Sequence, residues 1–126
     1  MEKSPVTVPA EGCVSAGRRT LPNQIAQEQA KLLKALADPN RLLLLFLIPP
    51  PPQTICVCDL TGALELSQPT VSHHLKVLSD SGFISRQKKG TWVHYSLVEE
   101  KLKKTSVQLS KLAEGTSETE VDAHGV

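Results

Sequence analysis

The chain has 126 residues, 40% of them hydrophobic, a formal net charge of +1 and three cysteines. That length holds one modest domain, and an odd, small cysteine count argues against a secreted disulfide framework. Aromatics are only 3%, so any core must be aliphatic, and the longest apolar run, Leu42–Ile48, is far too short to span a bilayer.

Met1–Pro22 is rich in Pro, Gly, Ser and Thr and reads as a poorly ordered arm. It contains Cys13. The string from Cys13 to Arg19-Thr20 fits the Cys-x5-Arg-Ser/Thr spacing of a phosphatase-type loop. Such a loop needs a strand before it and a helix after it, so that its amides cradle an oxyanion. Pro9-Ala10-Glu11-Gly12 is no strand, so a thiol enzyme such as an arsenate reductase is disfavoured. No apolar N-terminal segment of signal-peptide type is present, and a reducing, cytoplasmic setting is expected.

Asn23–Asp38 is predicted helical, with Ile25, Gln29, Leu32, Leu33 and Leu36 on one stripe and Asn23 as its N-cap. Asp38-Pro39 ends it and starts a second helix, capped by Asp38 with Pro39 in its first position. That helix runs through Arg41 to Ile48 and is apolar nearly all round, which places it centrally in the core. Pro49–Pro52 is expected to be a stiff, extended spacer.

Cys56-Val57-Cys58-Asp59-Leu60 opens a third helix, expected to run to Leu66. Asp59 follows Cys56 by three residues, like the acidic member of a capping box, so Cys56 stands where an N-cap Ser or Thr would. On a regular helix residues two apart point about 200° apart. At a helix start the geometry is looser, because an N-cap residue is not helical, and binding is expected to draw both sulfurs together and distort the first turn, where the amides should favour thiolates.

A fourth helix spans Gln68–Ser79, with Pro69 tolerated near its start. Val71, Leu75 and Leu78 form its apolar stripe, while Gln68, Thr70, Ser72, His73 and Lys76 lie elsewhere. Ser81-Gly82 terminates it. Phe83–Lys88 and Thr91–Leu97 alternate as two strands of a hairpin around Lys89-Gly90, and Trp92 is expected to pack between hairpin and core. Between Ser67 and Gly90 the cations Lys76, Arg86, Lys88 and Lys89 face Asp80 alone, a surplus of three. Glu99–Ala113 is a last helix with Leu102, Leu109 and Leu112 on one face, and residues 115–126 read as a disordered tail.

The expected fold is therefore mainly α with a small two-stranded β-hairpin: a winged helix-turn-helix over residues 23–114. In that arrangement the fourth helix enters the major groove of double-stranded DNA and the wing tracks the backbone. Ser67, Gln68, Thr70, Ser72, His73, His74 and Lys76 are candidate DNA contacts from the helix; Arg86, Lys88 and Lys89 are candidate phosphate contacts from the wing.

Four segments together carry a family resemblance. Lys34-Ala-Leu-Ala-Asp-Pro-Asn-Arg41, Ile55-Cys-Val-Cys-Asp-Leu60, Ser67–Leu78 and Lys89–Leu97 resemble the helix junction, thiol metal box, recognition helix and wing of the ArsR/SmtB metal-responsive repressors. The resemblance implies a homodimer paired through its first and last helices, which leaves operator DNA when metal binds. Arsenic-sensing members often place a third cysteine where this chain has Thr61, and the histidines of some zinc-sensing last helices are missing from Glu99–Ala113. Trivalent arsenic or antimony prefers three thiolates, so Cys56 and Cys58 with Cys13 as third donor form the expected ligand set for As(III) or Sb(III). Cadmium, lead or zinc, or oxidation of the thiols, are the alternatives.

Overall fold

The computed structural model describes residues 20–114. The arm bearing Cys13, its phosphatase-like string up to Arg19, and the tail from 115 onward lie outside the described residues. The element order is α1 (Asn23–Leu36), α2 (Pro39–Leu47), β1 (Ile55–Cys56), α3 (Val57–Leu64), α4 (Gln68–Asp80), β2 (Ile84–Lys89), β3 (Trp92–Leu97) and α5 (Glu99–Glu114).

The helix boundaries follow local chemistry. Asp38 is extended and its carboxylate accepts from the amides of Asn40 and Arg41 at 2.8 and 3.3 Å, which starts α2 behind Pro39. Burial works against ionisation of that carboxyl. The two amides, with the positive charge of Arg41, outweigh it and hold the group below its usual range. Ser67 caps α4 by accepting from the Thr70 amide. Gly82 supplies the left-handed φ of +86° that lets the chain leave α4 for β2. At α1 the expected cap is displaced by one residue: Pro22 holds the cap position, no side chain caps it, and Asn23 is already helical.

The sheet has three strands rather than two. β2 and β3 form the wing, with Ile84 opposite Leu97 and Lys89 opposite Trp92. The short β1 adds to the other edge of β3, placing Ile55 against Tyr95 and Cys56 against His94. The proline run makes this possible, and it is a turn rather than an extended spacer. Gln53 donates its amide to the Pro50 carbonyl at 3.1 Å, and the Leu97 amide donates to the Pro49 carbonyl at 2.7 Å. With no amides of their own, prolines 49–52 can only accept, and here Pro50 does so within the turn and Pro49 from strand β3.

Leu44, Leu60, Val71, Leu75, Leu78 and Phe83 are fully buried and form the centre of the aliphatic core, with Ile48, Ile84 and Tyr95 around them. Each such side chain contributes roughly 1.5–3 kcal/mol by leaving water. Two expectations about burial fail. Helix α2 is covered on one side only: Leu44, Leu45 and Ile48 face the core, but Leu42, Leu43 and Phe46 are exposed, Phe46 at 87%. A single protomer has too few layers to enclose a helix that is apolar all round. Trp92 sits at the wing tip opposite Lys89, where the two-stranded wing extends past the core, and is 58% exposed.

Candidate functional site

Two features converge on one side of the molecule: the thiol turn at the start of α3, and a groove between α4 and the wing. The groove encloses about 510 Å³ and is lined by Gln68, Ser72, Lys76, Ser79 and Asp80 from α4, Arg86, Val93 and Tyr95 from the wing, and Val57 from α3. Gln68, Ser72 and Lys76 recur at four-residue spacing, so they share a helix face. Arg86 closes the groove opposite them. Lys76 donates to Asp80 at 3.1 Å, but both side chains are well exposed, and such a pair is worth little against a competing phosphate.

The other predicted contacts scatter around this groove. Ser67, Thr70 and His73 are exposed at the N-terminal part of α4, with the Ser67 hydroxyl donating to that of Thr70 at 2.9 Å. Lys88 and Lys89 are exposed toward the wing tip. His74 does not belong with them. It is only 9% exposed, and its Nδ1 lies 3.1 Å from Nη1 of Arg41. The spacing carried the signal, since 71, 74, 75 and 78 complete one helical stripe and His74 falls on its inner side.

The thiol turn carries the expected cap, with Cys56 at the N-cap of α3. Cys56 has φ −83° and ψ 149°, so it is extended and outside the helix. Its sulfur accepts from the Cys58 amide at 3.4 Å, and the two Sγ atoms lie 2.7 Å apart. The angular separation of residues within a helix does not apply, because one of the pair belongs to β1. The turn therefore brings the sulfurs together with α3 intact, and no unwinding is required. Nor does the helix start acidify both thiols: the hydrogen bond to Cys56, then desolvation and the neighbouring charges, push the Cys58 thiol up.

Thr61, at the position of the third box cysteine, donates its hydroxyl to the Val57 carbonyl at 2.9 Å and is engaged within α3. His94 lies opposite Cys56 across the β1–β3 ladder, and its Nδ1 is 3.3 Å from the Thr54 hydroxyl. Among the described residues no group of three or more His, Cys, Asp or Glu is assembled to hold a metal ion. What the described chain offers a soft ion is a preformed pair of sulfurs. Val57, the residue between them, lines the groove. Sequence reasoning passed over Val57, since nothing in its apolar character marks it as a link.

Residues 38–86 match the family model described as bacterial regulatory protein, arsR family. The arsenical resistance operon repressor of Bacillus subtilis is 38% identical over 80 residues, covering 64% of this chain and 75% of that protein. The chain belongs to the ArsR family. A cadmium resistance transcriptional regulatory protein CadC homolog of Staphylococcus aureus is 35% identical over 98 residues, covering 78% of this chain and 80% of the relative. A solved winged helix-turn-helix DNA-binding domain from Mycobacterium bovis, described as homodimeric and as a possible ArsR-family regulator, superposes with a TM-score of 0.57 at 23% identity, covering 72% of this chain and 82% of that one; it supports the fold. The matched span holds α2, the thiol turn and all of α4. This ArsR-family chain is thus a transcriptional regulator with a winged helix-turn-helix, not a thiol enzyme. Among the described residues no helix is long and apolar enough to cross a membrane.

Proposed function

We propose that the protein is a homodimeric repressor that binds operator DNA through α4 and the wing, and releases it when Cys56 and Cys58 bind As(III) or Sb(III). The observation that carries this reading is the thiol turn itself: two sulfurs 2.7 Å apart, flanking Val57, whose side chain lines the groove beside α4. A soft pnictogen bound by both thiolates draws on a geometry already present. Fixing the turn shifts Val57 and with it the floor beneath Gln68 and Ser72. Cys13 supplies the third thiolate a pyramidal As(III) requires, from either protomer. Gln68, Ser72, His73 and Lys76 contact bases or phosphates, and Arg86, Lys88 and Lys89 hold phosphates. Residues 23–114 act as the DNA-binding and dimerisation domain, between an arm that carries Cys13 and a C-terminal tail, in the cytoplasm. The exposed Leu42, Leu43 and Phe46 of α2 and Leu109 of α5 are consistent with a second protomer covering apolar surface.

The names of the relatives support the class of inducer, since one is an arsenical and another a cadmium resistance regulator. The test is a titration of protein bound to a labelled duplex with arsenite, antimonite, cadmium and zinc, on wild type and on Cys13→Ser. Release by arsenite in wild type, weakened in the variant, is expected. Release by cadmium but not arsenite would overturn the assignment of inducer. The short sulfur–sulfur distance favours one second reading, release on oxidation of the dithiol. An oxidant added without metal, followed by thiol reductant, separates the two.

A further inference from the structure

We propose that Arg41 and His74 form a positioning pair that sets the angle of the recognition helix, so that His74 acts on DNA affinity without touching DNA. This rests on the DNA-binding reading above. The guanidinium of Arg41 donates Nε–H to the Ala35 carbonyl at 2.7 Å and Nη1–H to His74 Nδ1 at 3.1 Å. Arginine offers only donors, so Nδ1 of His74 is an acceptor and the ring's proton sits on Nε2. The Ala35 carbonyl belongs to the last turn of α1, where carbonyls lack helical partners. The Arg41 amide is itself tied to Asp38 at 3.3 Å. One planar fork therefore joins the end of α1, the start of α2 and the middle of α4.

The position makes a purely space-filling role a poor account. Val71, Leu75 and Leu78, the other members of this stripe, are fully buried aliphatics. An imidazole among them gives up apolar burial and demands a polar partner. His73 is its neighbour on the exposed side, with ring centroids 5.8 Å apart. Adjacent helical residues are about 100° apart, so a rotation of α4 that releases His74 swings His73 by the same angle. Lysine at position 41 cannot reproduce the link, because a point donor lacks the fork that meets two acceptors at once.

The experiment measures affinity for a fluorescent duplex, enriched by the wild-type protein from a randomised pool, across a range of salt concentrations. Losing a hydrogen bond to a charged group predicts about tenfold weaker binding for H74L and for R41K. H74Q, whose amide oxygen accepts from Arg41, recovers most of the loss. The double variant R41K/H74L is no worse than either single one, since both break the same link. The salt slope of H74L stays at the wild-type value, because no phosphate contact is lost. Wild-type affinity in H74L, additive losses in the double variant, or a slope reduced by about one would each overturn the proposal. Should H74L fail to fold, R41K measured beside H74Q decides the question in the same titration. A wild-type protein that enriches no duplex refutes the repressor reading instead, so the two failures are distinct.

Discussion

Cys56 has two separable roles, and substitution should pull them apart. As N-cap of α3 its sulfur accepts from the Cys58 amide at 3.4 Å; as half of the dithiol it stands 2.7 Å from the second sulfur. Sulfur is a weak acceptor, and a serine hydroxyl is a better cap. Cys56→Ser should therefore leave stability unchanged or raise it by a few tenths of a kcal/mol. Cys56→Ala strands the amide. Its cost belongs at the low end of the range for lost caps, about 0.5 kcal/mol, or roughly 2–4 °C in melting temperature for a domain of this size. Both variants lose one of the three proposed thiolates and should bind arsenite more weakly by over about 100-fold, beyond what changes around the ligands cost at metal sites. Thermal melts by circular dichroism read the first effect. Arsenite-driven release of a labelled duplex, with ultraviolet absorbance of the sulfur–arsenic bond, reads the second. A Cys56→Ser protein that still leaves DNA at wild-type arsenite concentrations would refute the assignment of the thiols, and equal melting of the Ser and Ala variants would refute the capping role.

Leu75 is fully buried within the core, so Leu75→Ala should cost about 2–5 kcal/mol in denaturant unfolding. Trp92, exposed at the wing tip, behaves oppositely: Trp92→Ala should change stability by less than about 0.5 kcal/mol in the same assay. Lys88→Ala and Lys89→Ala should each flatten the dependence of log affinity on log salt by about 0.9 if each holds one phosphate, with melting unchanged. Asp38 has its folded-state carboxyl held below the usual range. Such a group stabilises the fold above its unfolded value near pH 3.9, and the contribution disappears as pH falls through the folded value. Asparagine keeps the cap geometry but not the charge, so the advantage of wild type over Asp38→Asn should be present at pH 7 and shrink below about pH 4, as melts across pH would show.

The sequence determined what local rules govern. Asp38-Pro39, Ser67 and Gly82 marked where helices start and stop, because caps and left-handed glycines act over three or four residues. Periodicity of 3.6 and of 2 separated the helices from the wing, and the four motif segments carried the family. Tertiary structure decided what depends on partners distant along the chain. The proline turn brought β1 onto the sheet and set Cys56 opposite His94, and in that turn the two sulfurs lie 2.7 Å apart. Arg41, thirty-three residues before His74, turned a candidate DNA contact into a buried link. Helix α2, apolar nearly all round, found cover on only one side within a single protomer. A pattern along the chain records which residues avoid water, but the partner that shields or bonds each one is fixed only when separate elements pack together.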